Sequence, residues 1–197
     1  MRIGVLGAGP VGQSLAKGFT KHGHDVKLGN RDPKTPFAEA AKFGEVVLLC
    51  TSWSGSENAI KLADPKNLEG KIVIDVTNPL KAAPNAPPTL ALGFNDSGGE
   101  QVQRWLPRSR VVKAFNIINH AYMVDPQFPG GPPDMFIAGN DAAAKQTVTK
   151  ICKDFGWLVT DIGGIEGARL LEPLAMLWIV IGIRSGSWDH AWKLLRK

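Results

Sequence analysis

An α/β fold built on a doubly wound, mostly parallel sheet is what this sequence predicts, with a helical extension at its C-terminal end. Three observations carry that expectation. Short β-branched runs recur along the 197 residues; stretches with helical spacing of apolar residues separate most of them; and runs such as "VVLL" and "IVIDV" are apolar at consecutive positions, as strands covered on both faces must be. A chain of this length, 44% hydrophobic and 21% charged, can enclose one sizeable core, so residues 1–197 are read as a single domain in which 165–197 form the helical extension.

The first strand is read at Ile3–Leu6, inside "RIGVLG", and it runs into Gly7, Gly9 and Gly12. A helix follows whose Val11, Leu15, Ala16 and Phe19 share one face. Glycines at this spacing, between a strand and a helix, are the signature of a Rossmann-type dinucleotide fold. Gly7 turns the chain tightly, Gly9 lets the backbone approach a pyrophosphate, and Gly12 lets the helix pack close to the strand. The free N–H groups at the helix start then favour an anion.

The second strand, Val26–Leu28, runs out into "GNRDP". A site specific for NAD places a carboxylate here to accept from the ribose hydroxyls, and a carboxylate repels a 2′-phosphate. Arg31 attracts one, through two parallel hydrogen bonds or by lying along the adenine. Asn30 can donate a further hydrogen bond and Lys34 adds a point charge. NADP is therefore the expected cofactor. Asp32 leaves one alternative open, a carboxylate on a ribose hydroxyl if the register differs by one or two residues.

The crossover from Asp32 to Gly44, about 13 residues, is near the lower limit for joining parallel strands and allows only a short helix. Further strands are read at Val46–Leu49, Ile72–Val76, Val111–Phe115, Phe136–Ala138 and Leu158–Asp161. Two Pro-rich segments, Ala82–Pro88 and Pro126–Pro133, are expected to be surface loops, because proline lacks the ladder donor. The most apolar segment, Leu174–Ile183, is about half the length needed to cross a bilayer. It reads as a buried helix in which Pro173 marks a kink or a restart. A helix apolar all round wants cover on every side, which points to a homodimer interface. Arg169 and Glu172, three apart, are spaced to pair across one turn.

Composition narrows the partners. The net charge of +5, from 23 basic and 18 acidic residues, is scattered rather than clustered, which disfavours nucleic acid and suits a small anionic ligand. The two cysteines, Cys50 and Cys152, sit in apolar or helical contexts and read as buried thiols of a reducing compartment. The sequence opens directly on a strand, with no export signal, so a cytoplasmic location without a membrane partner is expected. No Cys/His cluster has metal-ligand spacing, and no metal is expected.

Several motifs then line up in order: "GAGPVGQSLA", "GHDVKLGNRDP", "GEVVLLCTSW", "VIDVTNPL", "VVKAFNII", "MFIAGND" and "GARLLEPLAMLWI". Together they resemble the family of NADPH-dependent reductases of the 8-hydroxy-5-deazaflavin coenzyme (factor 420), whose fold also forms the cytosolic domain of six-transmembrane metalloreductases. The resemblance implies that Ala8, Gly9, Pro10 and Val11 touch the pyrophosphate, and that Asn30 and Arg31 hold the 2′-phosphate. It implies that Thr51, Ser52 and Trp53 run along the ribose and nicotinamide, and that Asn78, Pro79 and the loop Asn116–Ile118 flank the nicotinamide, with His120 at that loop's edge. Two departures stand out. Asn30 replaces a small hydroxyl residue, and the crossover after Arg31 is shorter than is usual in the family.

The resulting expectation is an NADP-dependent oxidoreductase that passes a hydride between NADP(H) and a small-molecule electron acceptor, a deazaflavin (factor 420) or another flavin-like ring. Reduction of flavin with onward reduction of ferric chelates is one alternative, and a non-catalytic NADP-binding sensor is another. Hydride transfer between stacked rings needs a dry slot and no protein nucleophile, so no catalytic side chain is assigned. Ile118, Trp53, Phe115, Leu170, Leu174 and Leu177 are slot-lining candidates, with ordinary core packing as the plain alternative. A ketone or imine would also require a proton donor, and His120 or Tyr122 would be the first candidates.

Overall fold

In the computed structural model, which describes residues 1–197, the chain runs β1 (Arg2–Leu6), α1 (Pro10–Lys21), β2 (Asp25–Gly29), α2 (Phe37–Phe43), β3 (Val46–Leu49), α3 (Trp53–Ala63) and β4 (Ile72–Asp75). It continues through β5 (Leu80–Ala83), β6 (Ala86–Leu90), α4 (Gly98–Trp105), β7 (Arg110–Lys113), β8 (Asp134–Gly139), α5 (Ala142–Asp154), β9 (Leu158–Asp161) and α6 (Ala168–Ser185). Seven strands form one sheet in the order β2-β1-β3-β4-β7-β8-β9. All seven are the runs expected from the sequence. Neighbours are parallel except β7 and β8, which meet antiparallel through Val112 opposite Gly139 and Lys113 opposite Ala138.

The period of two along each strand divides the core between the two faces. Val46 and Leu48 of β3 join a cluster with Leu15 and Phe19 of α1 and Val148 and Ile151 of α5. Val47 and Leu49 point the other way, into a cluster with Ala40 of α2, Ala59 and Ile60 of α3 and Val102 of α4. Every residue of β3 is therefore buried, which is why it reads as an unbroken apolar run. Both cysteines lie in the first cluster. Burial pushes their thiols up, well beyond the ordinary range, so neither is a thiolate at neutral pH.

Three expectations are corrected. The segment Ala82–Pro88 is not an irregular loop: β5 and β6 pair antiparallel across it, Leu80 opposite Leu90 and Lys81 opposite Thr89, around Asn85 at φ 54°. The register shifts between Lys81 and Ala83, so Pro87 and Pro88 fall where the ladder of this separate ribbon is interrupted and their missing donors are not needed. The helical extension stops early as well. α6 ends at Ser185, where Gly186 adopts φ 69°, and the remaining residues fold back as irregular chain. His190 stacks on Trp178 at 4.8 Å, and Leu194 donates its N–H to Asp134 at 2.9 Å. Finally, Arg169 does not pair with Glu172. Its guanidinium reaches Glu100 of α4, with Nε donating at 2.9 Å, while Glu172 points inward.

Pro173 lies inside α6 without ending it. This helix buries Leu171, Ala175 and Trp178 and turns Leu170, Leu177 and Ile181 outward, so its outer face is an apolar stripe. No helix is long and apolar enough to cross a membrane.

Candidate functional site

Strand order reverses between β1 and β3, because β2 lies on one side of β1 and every later strand of the sheet on the other. The loops leaving β1 and β3 therefore diverge and open a crevice at the carboxyl edge, the usual ligand position in such sheets. A cleft of about 530 Å³ lies there, walled by the glycine turn, by Asn30 and Arg31, and by Thr51 and Ser52. An adjoining hollow of about 270 Å³ shares Thr51 and Ser52 with it and continues past Val11 and Trp53 to Thr77 and Asn78. Together they form a trough from the end of β2 to the end of β4.

Its floor is set by backbone geometry. Gly7 has φ +124°, and a Cβ there would stand 2.6 Å from the carbonyl oxygen of Cys50. On Gly12 it would stand 1.9 Å from the carbonyl oxygen of Gly7, so α1 approaches β1 as closely as backbone allows. Gly9 is different. Nothing lies within 4 Å of its absent Cβ, so its backbone faces open space. Gly9 caps α1 with no side-chain hydrogen bond and Pro10 follows it, which leaves first-turn N–H groups free toward the trough. The Gln13 side chain donates to the Ala8 carbonyl at 2.8 Å and holds the turn in place. A diphosphate fits such a floor without a charged side chain.

The corner beyond β2 closes on itself. Asn30 accepts through Oδ1 from the Asp32 N–H at 2.6 Å and from the Thr35 hydroxyl at 3.1 Å, which leaves its NH2 group to donate. Asp32 accepts from the Lys34 N–H through Oδ1 at 2.9 Å, a local turn. It is exposed and, unlike Asn30 and Arg31, is not part of the cleft wall. Arg31 is exposed on the cleft wall, whereas Lys34, also exposed, stands on the turn outside it. The arrangement can grip a second anion beside the first.

At the other end, Thr51 hydrogen-bonds the Ser56 hydroxyl at 2.9 Å, and Trp53 stacks on Trp105 at 5.4 Å, braced as a wall. Asn78 and Asn116 clasp each other: the Asn78 amide donates to the Asn116 carbonyl at 2.7 Å, and the Asn116 amide donates to Asn78 Oδ1 at 3.0 Å. Pro79 is buried beside Gly98.

Other candidates stand elsewhere. Phe115 and Ile118 are core residues of the first cluster, and Leu170 and Leu177 face outward at 68% and 51% exposure. Core packing, the plain alternative, therefore holds for Phe115 and Ile118, whereas Leu170 and Leu177 neither pack in the core nor line the trough. His120 meets Ser14 of α1 at 3.2 Å in a separate hollow with Lys17 and Lys21, and Tyr122 packs on Phe128. Neither proton-donor candidate borders the trough. A further hollow of about 510 Å³, around Gln103, Arg110 and Asn140, has Pro107 among otherwise polar and charged side chains and shares no residue with the trough.

Beneath the asparagine pair lies a charge cluster that the sequence reading missed. Lys113 is fully buried, with Nζ 2.9 Å from Asp75 and 2.8 Å from Glu172. Burial alone would lower its pKa, but the two carboxylates outweigh that and hold the ammonium above its ordinary value. The available signal was a charge at the end of each of two otherwise apolar runs, Asp75 closing "IVID" and Lys113 closing "RVVK".

Comparison with known proteins supplies the context. A family model described as "NADP oxidoreductase coenzyme F420-dependent" matches residues 2–79. The chain is 34% identical to the F420-dependent NADP reductase of Methanocaldococcus jannaschii over 148 residues, covering 74% of this chain and 66% of that protein. It is 30% identical to the metalloreductase STEAP3 of Rattus norvegicus over 190 residues, which is 89% of this chain and only 37% of the relative. The chain thus spans less than two thirds of these curated relatives. A crystal structure of a candidate F420-dependent NADP reductase from Arthrobacter sp. FB24 superposes with a TM-score of 0.95 at 37% identity, covering 100% of both chains.

Proposed function

The chain belongs to the F420-dependent NADP oxidoreductase family, and on that premise we propose that it is an NADP-dependent oxidoreductase passing a hydride between NADP(H) and a deazaflavin or flavin-like acceptor. One observation supports the cofactor most strongly: Arg31 stands free on the cleft wall while the neighbouring Asp32 is tied to Lys34. A bare glycine turn and an unpaired guanidinium in one cleft are the donors that a diphosphate and a 2′-phosphate need.

The residues present fit the nucleotide along the whole trough. Gly7, Ala8, Gly9, Pro10, Val11 and Gly12 would bind the diphosphate, Asn30 and Arg31 the phosphorylated ribose, and Thr51, Ser52 and Trp53 the second ribose. Asn78 and Asn116 would orient the nicotinamide end. When bound, the nucleotide supplies the hydride chemistry itself. The chain's part is to orient the ring and to exclude water with the walls of Val11, Trp53 and Val76, which border the smaller hollow. No carboxylate, imidazole or amine borders that hollow, and burial keeps the Cys50 thiol protonated, which suits transfer between two rings better than reduction of a ketone.

Likeness to a metalloreductase over 89% of the chain supports a second reading, reduction of flavin followed by ferric chelates. Consumption of NADPH, followed at 340 nm, separates the two. Oxidation with deazaflavin supports the first, and oxidation only with flavin plus ferric chelate supports the second. Tight NADPH binding with neither would leave a nucleotide sensor.

A further inference from the structure

We infer that Lys113 and Glu172 are positioning residues for the asparagine pair, so that a buried ionic cluster sets how the protein holds the nicotinamide end of its nucleotide. This rests on the assignment of Asn78 and Asn116 to that end of the trough.

The geometry is one of adjacency. Asp75 and Lys113 are register partners at the ends of β4 and β7. The trough residue Asn78 lies three positions beyond the first, and Asn116 three beyond the second. Asp75 also accepts from the N–H and hydroxyl of Thr77, at 2.9 and 2.7 Å, which fixes the residue before Asn78. Asn116 makes its third contact with the carbonyl of Leu171, at 3.1 Å, next to Glu172. Each anchor of the asparagine pair is thus a close chain neighbour of a member of the cluster.

Glu172 brings in a further element. Its two carboxylate oxygens accept from the N–H groups of Gly98 and Gly99, at 2.9 and 3.0 Å, in the first turn of α4. A Cβ on Gly99 would stand 2.7 Å from the Ala168 side chain, so only glycine lets α6 come this near. The cluster sets two acidic side chains against one basic one, and the Thr77 and α4 donors anchor the two carboxyl groups to two backbone segments. Every carboxylate oxygen has a partner. The cluster ties β4, β7, α4 and α6 at one point beneath the pair.

Why charges should be used here has a physical answer. Apolar side chains of similar volume usually hold a core at least as well as a buried ion pair, so stability alone does not explain this one. Directional contacts do what apolar packing cannot: they fix the register of the two loops. The Asn116 Oδ1 atom, buried and without a partner, lies in the group so held.

The test compares two ligands on the same protein. NADPH and 2′-phospho-ADP-ribose share the adenosine half and the 2′-phosphate, but only the first carries nicotinamide. In wild-type protein NADPH should bind at least tenfold tighter. Glu172→Gln, which keeps an oxygen for one α4 donor, should cut that ratio at least fivefold and leave 2′-phospho-ADP-ribose affinity within twofold. A lower melting temperature with an unchanged ratio would overturn the positioning role. Equal binding of both ligands by wild-type protein would overturn the assignment of the asparagine pair itself, and the inference with it. Should Glu172→Gln not fold, hydrogen exchange on the wild type decides. NADPH, but not 2′-phospho-ADP-ribose, should slow exchange of the Thr77, Gly98 and Gly99 amides, and equal slowing by both would count against the inference.

Discussion

A methyl group on Gly12 would lie 1.9 Å from the carbonyl oxygen of Gly7, so the start of α1 and the end of β1 are in backbone contact. Gly12→Ala must push the two apart. We expect a loss of stability of about 1–3 kcal/mol, the range for overpacking, together with weaker nucleotide binding. Gly9→Ala is the control. Space around Gly9 is open, so its melting temperature should stay near that of the wild type while NADPH affinity falls. Thermal melts and calorimetry on the pair separate fold from site.

Lys113→Met should be among the most damaging single substitutions. It leaves the carboxylates of Asp75 and Glu172 buried without their cation, and breaking such a pair typically costs about 3–5 kcal/mol. Neutralising all three positions together, as Asp75→Asn, Lys113→Met and Glu172→Gln, should restore much of that loss in urea unfolding. A triple variant no more stable than the single one would contradict this account of the cluster.

Acid should weaken the contact between α4 and α6. The hydrogen bonds from Arg169, outweighing partial burial, hold the Glu100 carboxyl below its ordinary value. The sign follows from linkage: a depressed carboxylate contributes stability above its unfolded pKa, roughly 4.3, and that contribution fades as pH falls through the lower folded value. Between about pH 5 and 3, wild-type protein should therefore lose more stability than Arg169→Gln. Parallel pH dependences would show that the pair contributes nothing.

Cys50 and Cys152 should resist a thiol reagent in the native protein and react once urea unfolds it. Both are buried and burial pushes both thiols up. Rapid native labelling of either would contradict the packing around it.

The strands of the sheet were legible because each is a short β-branched run, and β3, covered on both faces, is apolar throughout. The glycine turn was legible because Gly7, Gly9 and Gly12 lie within six residues of one another between a strand and a helix, and Arg31 because it follows directly on the end of β2. What escaped the sequence depends on distance or on context. The β5–β6 hairpin was hidden by Pro87 and Pro88, whose exclusion from sheets applies to central strands and not to an isolated ribbon. The ionic cluster joins residues 38 and more positions apart, and nothing local to Glu172 distinguishes a partner in β7 from Arg169 one turn away. His120 and Phe115 show the reverse error. Both sit in a loop at the right edge of the sheet, but one turns to α1 and the other into the core.

The central claim is that the Arg31 guanidinium selects the phosphorylated nucleotide. Calorimetric titration of Arg31→Ala with NADPH and with NADH tests it most directly. Losing a charge-assisted contact should weaken NADPH binding by roughly 1.5–3 kcal/mol and leave NADH binding almost unchanged. An equal effect on both nucleotides, or none on either, would contradict the claim.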